Sequence, residues 1–186
     1  MSDLGNVEPL RRGNRVKREI YEEVGRAIVT LSDIENWMGT IYHTYAQPNF
    51  LSDHYFMPFF HELNGFEKKA KLATLFVRMF AKPEHCNRWL KIVDEIEKHR
   101  KTRNLIAHQG MSVYGWGEKE TAILSGPWLS FDEKRRPKGK TLELEDIRAT
   151  ASALEGYRAA LEKLWGDIDN DLYPPEDFDE DDEESE

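Results

Sequence analysis

Residues 99–110 read HRKTRNLIAHQG and bring three chemically capable side chains into a short, basic stretch. His108 has an ordinary pKa of about 6.5, so its imidazole can accept and release a proton at neutral pH. Arg103 stays charged, and its planar guanidinium can hold two oxygens of an anion at once. Asn104 adds an amide that donates and accepts hydrogen bonds. Together these residue types favour chemistry on an anionic substrate.

The same residues can also be explained by a purely structural role. Cations in the last turns of a helix are favoured by its dipole, by about 0.3 to 1 kcal/mol each, which accounts for the basic run Lys98 to Arg103. His108 can bond a terminal carbonyl. Glu67 and Lys71 have the spacing of an ordinary helical ion pair, worth roughly 0.2 to 0.5 kcal/mol. The residues alone leave both readings open.

Four segments of the chain carry apolar residues every three or four positions, which predicts helices with one buried face. The first runs from Glu19 to before Pro48. Its predicted buried stripe is Ile20, Val24, Ile28, Leu31, Ile34, Trp37 or Met38, and Ile41. The second covers residues 66–81, after a short helix or irregular link that contains Pro58 and ends at Gly65.

The third helical segment, residues 84–108, carries the motif at its end, and Gly110 is expected as its C-terminal cap. The periodicity then changes over residues 111–140, where β-favouring runs such as TAIL and WLSF predict a small β-hairpin or loop insertion. The last helix starts within Thr141 to Asp146. The predicted fold is an all-α bundle of four to five helices, with this insertion before the last long helix.

Charge is distributed unevenly along the 186 residues. Nine of the 35 acidic residues lie in Glu176–Glu186, so 26 acidic residues remain against 26 basic ones in the rest of the chain. Such a run repels itself and buries no apolar surface, so we expect residues 174–186 to form a disordered acidic tail. The predicted organisation is a polar arm over residues 1–18, one helical domain over 19–173, and this tail.

Several classes of protein are excluded or disfavoured by what the sequence lacks. The single cysteine, Cys86, allows no internal disulfide and no thiolate cluster, and the scattered histidines show no ligand spacing, so no metal site is predicted. The chain has no apolar run of membrane-spanning length and no signal-peptide pattern, so we expect a cytoplasmic protein. Phosphate-binding glycine loops and hydrolase or zinc-protease motifs are also missing from the sequence.

The string Arg103-Asn104-Leu105-Ile106-Ala107-His108 resembles the R-x4-6-H signature of HEPN domains, all-α proteins of prokaryotic defence and toxin systems, in the variant RNxxAH. Glu67 and Lys71 resemble the E-x3-K that many members carry in the preceding helix. The resemblance covers residues 19–168 apart from the insertion. One departure concerns the members that an antitoxin modifies on a tyrosine two residues beyond the histidine, because that position here is Gly110.

The resemblance implies a metal-independent endoribonuclease that acts as a homodimer, in a toxin or phage-defence role, on RNA and with a possible antitoxin or defence-system partner. No cofactor is implied. His108 would transfer protons, Arg103 would stabilise the phosphate, and Asn104 would orient either group. Five residues span about 140° on an ideal helix, so Arg103 and His108 meet only if the helix end frays or a second copy supplies one of them. The residues expected to bind substrate are Lys71, Lys98, Arg100, Lys101 and Glu67.

Two other functions stay open. A HEPN-like module that has lost catalysis would bind nucleic acid or protein through the same cleft, without turnover. In a helical scaffold, the motif would only terminate a helix, and substituting Arg103 would mainly lower stability.

Overall fold

The structure is a computed structural model of the chain. It describes residues 7–47, 53–99, 102, 104–106, 110–114, 121–125, 130–131, 137–138 and 141–174. The acidic tail predicted from residue 174 onward therefore lies, apart from Pro174, outside the described residues.

The long elements of the described chain are helices, and the predicted fold class, an all-α helical bundle, is confirmed. The helices are α1 (Val7–Ala46), α2 (Asp53–Glu62), α3 (Phe66–Phe80), α4 (Pro83–Lys98) and α5 (Leu144–Leu172). The strands are β1 (Gly110–Tyr114), β2 (Thr121–Ser125), β3 (Ser130–Phe131) and β4 (Pro137–Lys138).

The predicted hairpin is present before the last helix. β1 pairs with β2 antiparallel from Gly110 opposite Ser125 to Tyr114 opposite Thr121, and β3 pairs with β4. Backbone hydrogen bonds of 3.0 and 3.1 Å in both directions join Leu124 to Leu142. They tie the hairpin to the start of α5.

The start of α1 was predicted wrongly at Glu19, since the helix begins at Val7. Ion pairs Arg15–Glu19 (3.5 Å) and Arg18–Glu22 (2.9 Å) join successive turns of this exposed part. Pairs at this spacing support a helix without an apolar face, so the apolar periodicity does not reach its true start.

The predicted buried stripe of α1 also needs a correction. Ile20, Ile34 and Ile41 are completely buried, but Ile28 is 42% exposed and Ala27 takes the buried position beside it. Ala27 and Ile28 both fit a spacing of three or four residues, so periodicity alone cannot decide which of the two is buried.

The helix predicted over residues 84–108 is interrupted. α4 ends at Lys98, and the His99 amide donates to the Ile96 carbonyl at 3.1 Å, one residue closer than in an α-helix. No apolar residue lies between Ile96 and Leu105, so this stretch has no apolar side chain that could anchor a helix to the core. Gly110 is the first residue of β1, and its predicted role as a helix cap is wrong.

Local chemistry also shapes α2 and the start of α5. Pro58 lies inside α2 without ending it, although its missing N–H removes one hydrogen bond from the helix. At the start of α5 the Glu143 amide donates to the Asp146 carboxylate at 3.1 Å. This is half of a capping box and explains why the helix starts within the predicted window.

The chain divides into two compact units. Unit 1 comprises Met1–Asn36 and Leu90–Ala160, and unit 2 comprises Trp37–Trp89 and Leu161–Glu186. The described core of unit 1 is built from Ile20, Ala27, Ile34, Ile96, Ile106, Ile123, Leu124, Leu142, Ile147, Ala151 and Leu154. Around it Arg148 pairs with Glu19 at 3.1 Å and Glu23 at 3.4 Å, which joins α5 to α1.

Unit 2 has an aromatic core. The Tyr42 ring stacks on Phe60 with centroids 5.4 Å apart and meets the edge of Phe76 at 4.7 Å. Buried Trp89 donates its indole N–H to the Thr74 hydroxyl at 2.8 Å, so its polar atom is satisfied.

Candidate functional site

The motif segment is positioned by what lies on either side of it. Residues 104–106 are helical between the end of α4 and the start of β1. Ile106 is only 2% exposed and belongs to the core of unit 1, whereas Asn104 is exposed. A buried anchor beside an exposed amide is the arrangement expected of a segment that presents polar groups to solvent.

Four of the predicted site residues, Arg103, His108, Arg100 and Lys101, lie outside the described residues. Their roles stay predictions from the sequence. Asn104 and Lys98 belong to unit 1, and Glu67 and Lys71 belong to unit 2.

Lys98 is exposed at the end of α4 but is held by two carboxylates. Its ammonium lies 2.7 Å from Glu95 and 3.0 Å from Asp94. Hydrogen bonds to Glu95 and then Asp94 raise the pKa of Lys98 above its ordinary value. The positive charge of Lys98 is therefore balanced locally by two acidic side chains.

Two rings pack beside this helix end. The His99 and Tyr157 ring centroids lie 5.8 Å apart, in a tilted arrangement. Burial, and then the charge of Glu95, raise the pKa of Tyr157. The neutral phenol ring of Tyr157 thus packs beside His99, one residue past the end of α4.

The structure brings Glu67 and Lys71 together on α3, with the Lys71 ammonium 2.8 Å from the Glu67 carboxylate. Both side chains are well exposed, at 57% and 75%. This geometry is that of an ordinary pair one helical turn apart, and it does not distinguish a structural role from substrate binding.

Sequence reasoning missed a polar cluster in unit 2. The Asp171 Oδ2 atom accepts from His85 Nε2 at 2.7 Å and from Lys82 Nζ at 2.8 Å. These two hydrogen bonds, that of Lys82 first, hold the pKa of Asp171 below its ordinary value. The partners are 86 positions apart along the chain, so no local pattern could have revealed the cluster.

The environment of His85 is unusual for a histidine. It is 5% exposed, and its buried Nδ1 has no hydrogen-bond partner in the part of the chain that the structure describes. In the neutral ring, Nε2–H donates to Asp171 and leaves Nδ1 as the bare nitrogen. Nearby, burial first, then the charges of Asp171 and Cys86, raise the pKa of Tyr45 to about 12.

Among the described residues, Glu84, His85 and Asp171 form a group whose ligand atoms lie within 4.8 Å of one another. One nitrogen and carboxylate oxygens are donors that suit zinc. However, the Lys82 ammonium already neutralises Asp171, and the His85–Asp171 hydrogen bond occupies the same oxygen. Asp171 Oδ2 is therefore already paired within the chain, whereas the buried His85 Nδ1 is not paired among the described residues.

Comparisons with known proteins do not identify a family: no protein-family model, no curated protein and no solved structure matches this chain. Within the described ranges, none of the helices has a stretch long and apolar enough to cross a membrane.

Proposed function

We propose that this chain is a metal-independent endoribonuclease of HEPN type, acting as a homodimer with a composite active site in a toxin or defence role. The observation that carries the proposal is the intact motif from Arg103 to His108 in the sequence of an all-α protein. The exposed amide of Asn104, beside the buried anchor Ile106, supports it.

The residue types account for each step of RNA cleavage. The 2′-oxygen of the ribose attacks the adjacent phosphorus, and His108 takes the 2′-hydroxyl proton. Charge then rises on the phosphate oxygens, where the Arg103 guanidinium binds two of them and Asn104 orients the phosphate. The bond from phosphorus to the 5′-oxygen breaks, and a proton returns to that oxygen. The products are a 2′,3′-cyclic phosphate and a 5′-hydroxyl.

The decisive experiment is cleavage of a mixed RNA pool by the purified protein in excess EDTA, with end-group analysis of the products. We expect cleavage by the wild type and loss of at least ~100-fold in rate for His108→Ala and Arg103→Ala, in line with the usual contribution of general acid–base groups. His61→Ala is the matched control, because His61 is an exposed histidine in α2 outside the motif.

Equal cleavage by the wild type and both motif variants would contradict the proposal, as would products without cyclic phosphates. RNA binding without turnover, unaffected by His108→Ala, would instead identify the non-catalytic binding module. Lys71→Ala tests the substrate-binding prediction separately: a raised KM supports it, and unchanged kinetics assign Lys71 to its ion pair with Glu67.

A further inference from the structure

The outward side of α3 in unit 2 combines exposed apolar and basic side chains. Leu75 and Met79 are 53% and 60% exposed. Lys68, Lys71 and Arg78 are exposed as well. At 100° per residue these five side chains fall within an arc of about 100°, and we call them the α3 face. The arc lies opposite the buried side of the helix, which consists of Phe66, Ala70, Ala73 and Val77.

Two cations of the α3 face have no counter-charge among the described residues. The helix contains a single acidic residue, Glu67, and Lys71 binds it at 2.8 Å. In the part of the chain that the structure describes, neither Lys68 nor Arg78 has a carboxylate within ion-pair distance. Unpaired cations beside exposed apolar side chains are complementary to an acidic segment that carries an apolar anchor.

The chain itself contains a segment of this chemistry, its acidic tail. Residues 176–186, which lie outside the described residues, carry nine acidic side chains and no basic one. The only large apolar residue among them is Phe178, which is too little for a core of their own. The tail therefore has the charge opposite to that of the α3 face and one aromatic side chain to place between its apolar residues.

The end of α5, from which the tail continues, is fixed beside the end of α3. Asp171 Oδ2 lies 2.8 Å from the Lys82 ammonium, and Lys82 is two residues beyond the last residue of α3. Both belong to unit 2. The α3 face is roughly 17 Å long from Met79 back to Lys68. Twelve extended residues span about 40 Å, so the tail can reach all of it.

The charges at this exit point do not hold the tail there. The exposed carboxylate of Glu84 lies in one group with that of Asp171, and the Lys82 ammonium is already paired with Asp171. The described residues at the exit thus offer no spare positive charge. Going back along α3, the first unpaired cation is Arg78, which belongs to the α3 face.

We propose that the acidic tail binds back on the α3 face of its own chain, with Phe178 against Leu75 and Met79 and its carboxylates beside the two unpaired cations. The contact needs neither RNA nor a second copy, so it goes beyond the proposed function. Because the tail covers Lys71, any polyanion that binds α3 has to displace it. For the proposed nuclease the tail is then a built-in competitor of the RNA, and this consequence alone rests on the proposed function.

The first test joins contacting carboxylates and amines of the full-length protein with a water-soluble carbodiimide and identifies the linked peptides by mass spectrometry. We expect links from the tail to Lys68 within one chain. The pair Glu67–Lys71, 2.8 Å apart, is the internal positive control. Lys163 is the negative control, because it is an exposed lysine of α5 in the same unit. It lies about 12 Å from Asp171 along its helix, whereas Lys68 lies about 21 Å from Lys82, so a tail that moves at random favours Lys163.

The same links report whether charge holds the tail. Arg78→Glu, and separately a rise in salt to about 0.5 M, should each reduce the links to Lys68 by ~3-fold or more, because both weaken the attraction between the tail and the α3 face. Lys163→Glu is the matched charge reversal and should leave these links unchanged. All three side chains are exposed, so the variants are expected to fold.

The second test locates Phe178. In a Cys86→Ser background, Phe178→Cys with Leu75→Cys should form an intramolecular disulfide on mild oxidation, ~10-fold or more faster than Phe178→Cys with Lys163→Cys, since docking raises the effective concentration of the two thiols. The two pairs are matched in reach. Leu75 is seven residues from Lys82 and Lys163 is eight from Asp171, so both lie about 10 to 12 Å from the exit along their helices.

Three results would overturn the contact. Links to Lys163 as frequent as those to Lys68 would mean that the tail meets the surface at random. Links that appear only in a product of twice the mass would assign the α3 face to the tail of a second copy. Equal rates for the two disulfides would place Phe178 elsewhere. RNA cleavage is measured independently: cleavage without the contact refutes only the contact, and the contact without cleavage refutes only the nuclease.

Discussion

At the scale of single residues, the Asp171 carboxylate of unit 2 accepts hydrogen bonds from two basic side chains, Lys82 and His85. Its pKa is lowered by the hydrogen bonds from Lys82 and His85. A carboxyl whose pKa is lower in the folded state stabilises the fold at every pH above its unfolded pKa, which lies near the ordinary 3.8. This stabilisation is lost as the pH falls through the pKa of the folded state.

We therefore predict that Asp171→Asn lowers the melting temperature at pH 6 and that the difference from the wild type shrinks once the pH falls below about 4. Thermal unfolding of both proteins across this range checks the prediction. In a Lys82→Met background the difference should be smaller, since the largest cause of the pKa shift is gone. A difference that stays constant down to pH 2.5 or so would mean that the charge of Asp171 is irrelevant.

At the scale of elements, the contact between α1 and α2 depends on a missing side chain. A Cβ on Gly39 would lie 3.1 Å from Cε1 and 3.2 Å from Cδ1 of Phe60. Phe60 is completely buried and stacks on Tyr42, so its ring has little room to move. The glycine thus sets how closely the two helices of unit 2 approach.

Gly39→Ala is predicted to lower the free energy of unfolding by about 1 to 3 kcal/mol, because the added methyl group overpacks a filled core. The higher helix propensity of alanine offsets part of this loss. Gly156→Ala in α5 is the control: a Cβ there meets no atom of the described residues within 4 Å, so the free energy of unfolding should rise by roughly 0.5 to 1 kcal/mol. Urea denaturation measures both. Equal stabilisation by the two substitutions would show that Phe60 yields to the new methyl group.

At the scale of the whole molecule, the proposed active site is composite. Arg103 and His108 are five positions apart in the sequence, and on a regular helix that spacing points their side chains apart by about 140°. If each site takes its arginine from one copy and its histidine from the other, a mixed dimer of two inactive variants regains one complete site.

Mixing equal amounts of Arg103→Ala and His108→Ala should therefore restore about a quarter of wild-type cleavage after subunit exchange, since half of the dimers are mixed and each has one intact site. Each variant alone is the control. If both variants fold and exchange subunits but the mixture stays inactive, the two residues act within one chain, and the helix end must depart from regular geometry to bring them together.

Local patterns in the sequence determined much of the secondary structure. Spacings of three and four located α3 and α5, and on α5 the regularly spaced Ile147, Ala151 and Leu154 are completely buried. A change to β-favouring runs located the hairpin. The motif that carries the proposed chemistry is also local, because its residues lie within one short stretch. These features depend on residues that are close along the chain, and the order of such residues is what a sequence contains.

Only the tertiary structure decided which side of α1 faces the core. Ala27 is buried and Ile28 is exposed, although hydrophobicity alone favours the reverse, because rotation of a helix is set by the partners that pack against it. The same holds for Asp171 and His85, which meet across 86 positions. Burial and pairing at such separations are properties of packing between elements, and no spacing along one element encodes them.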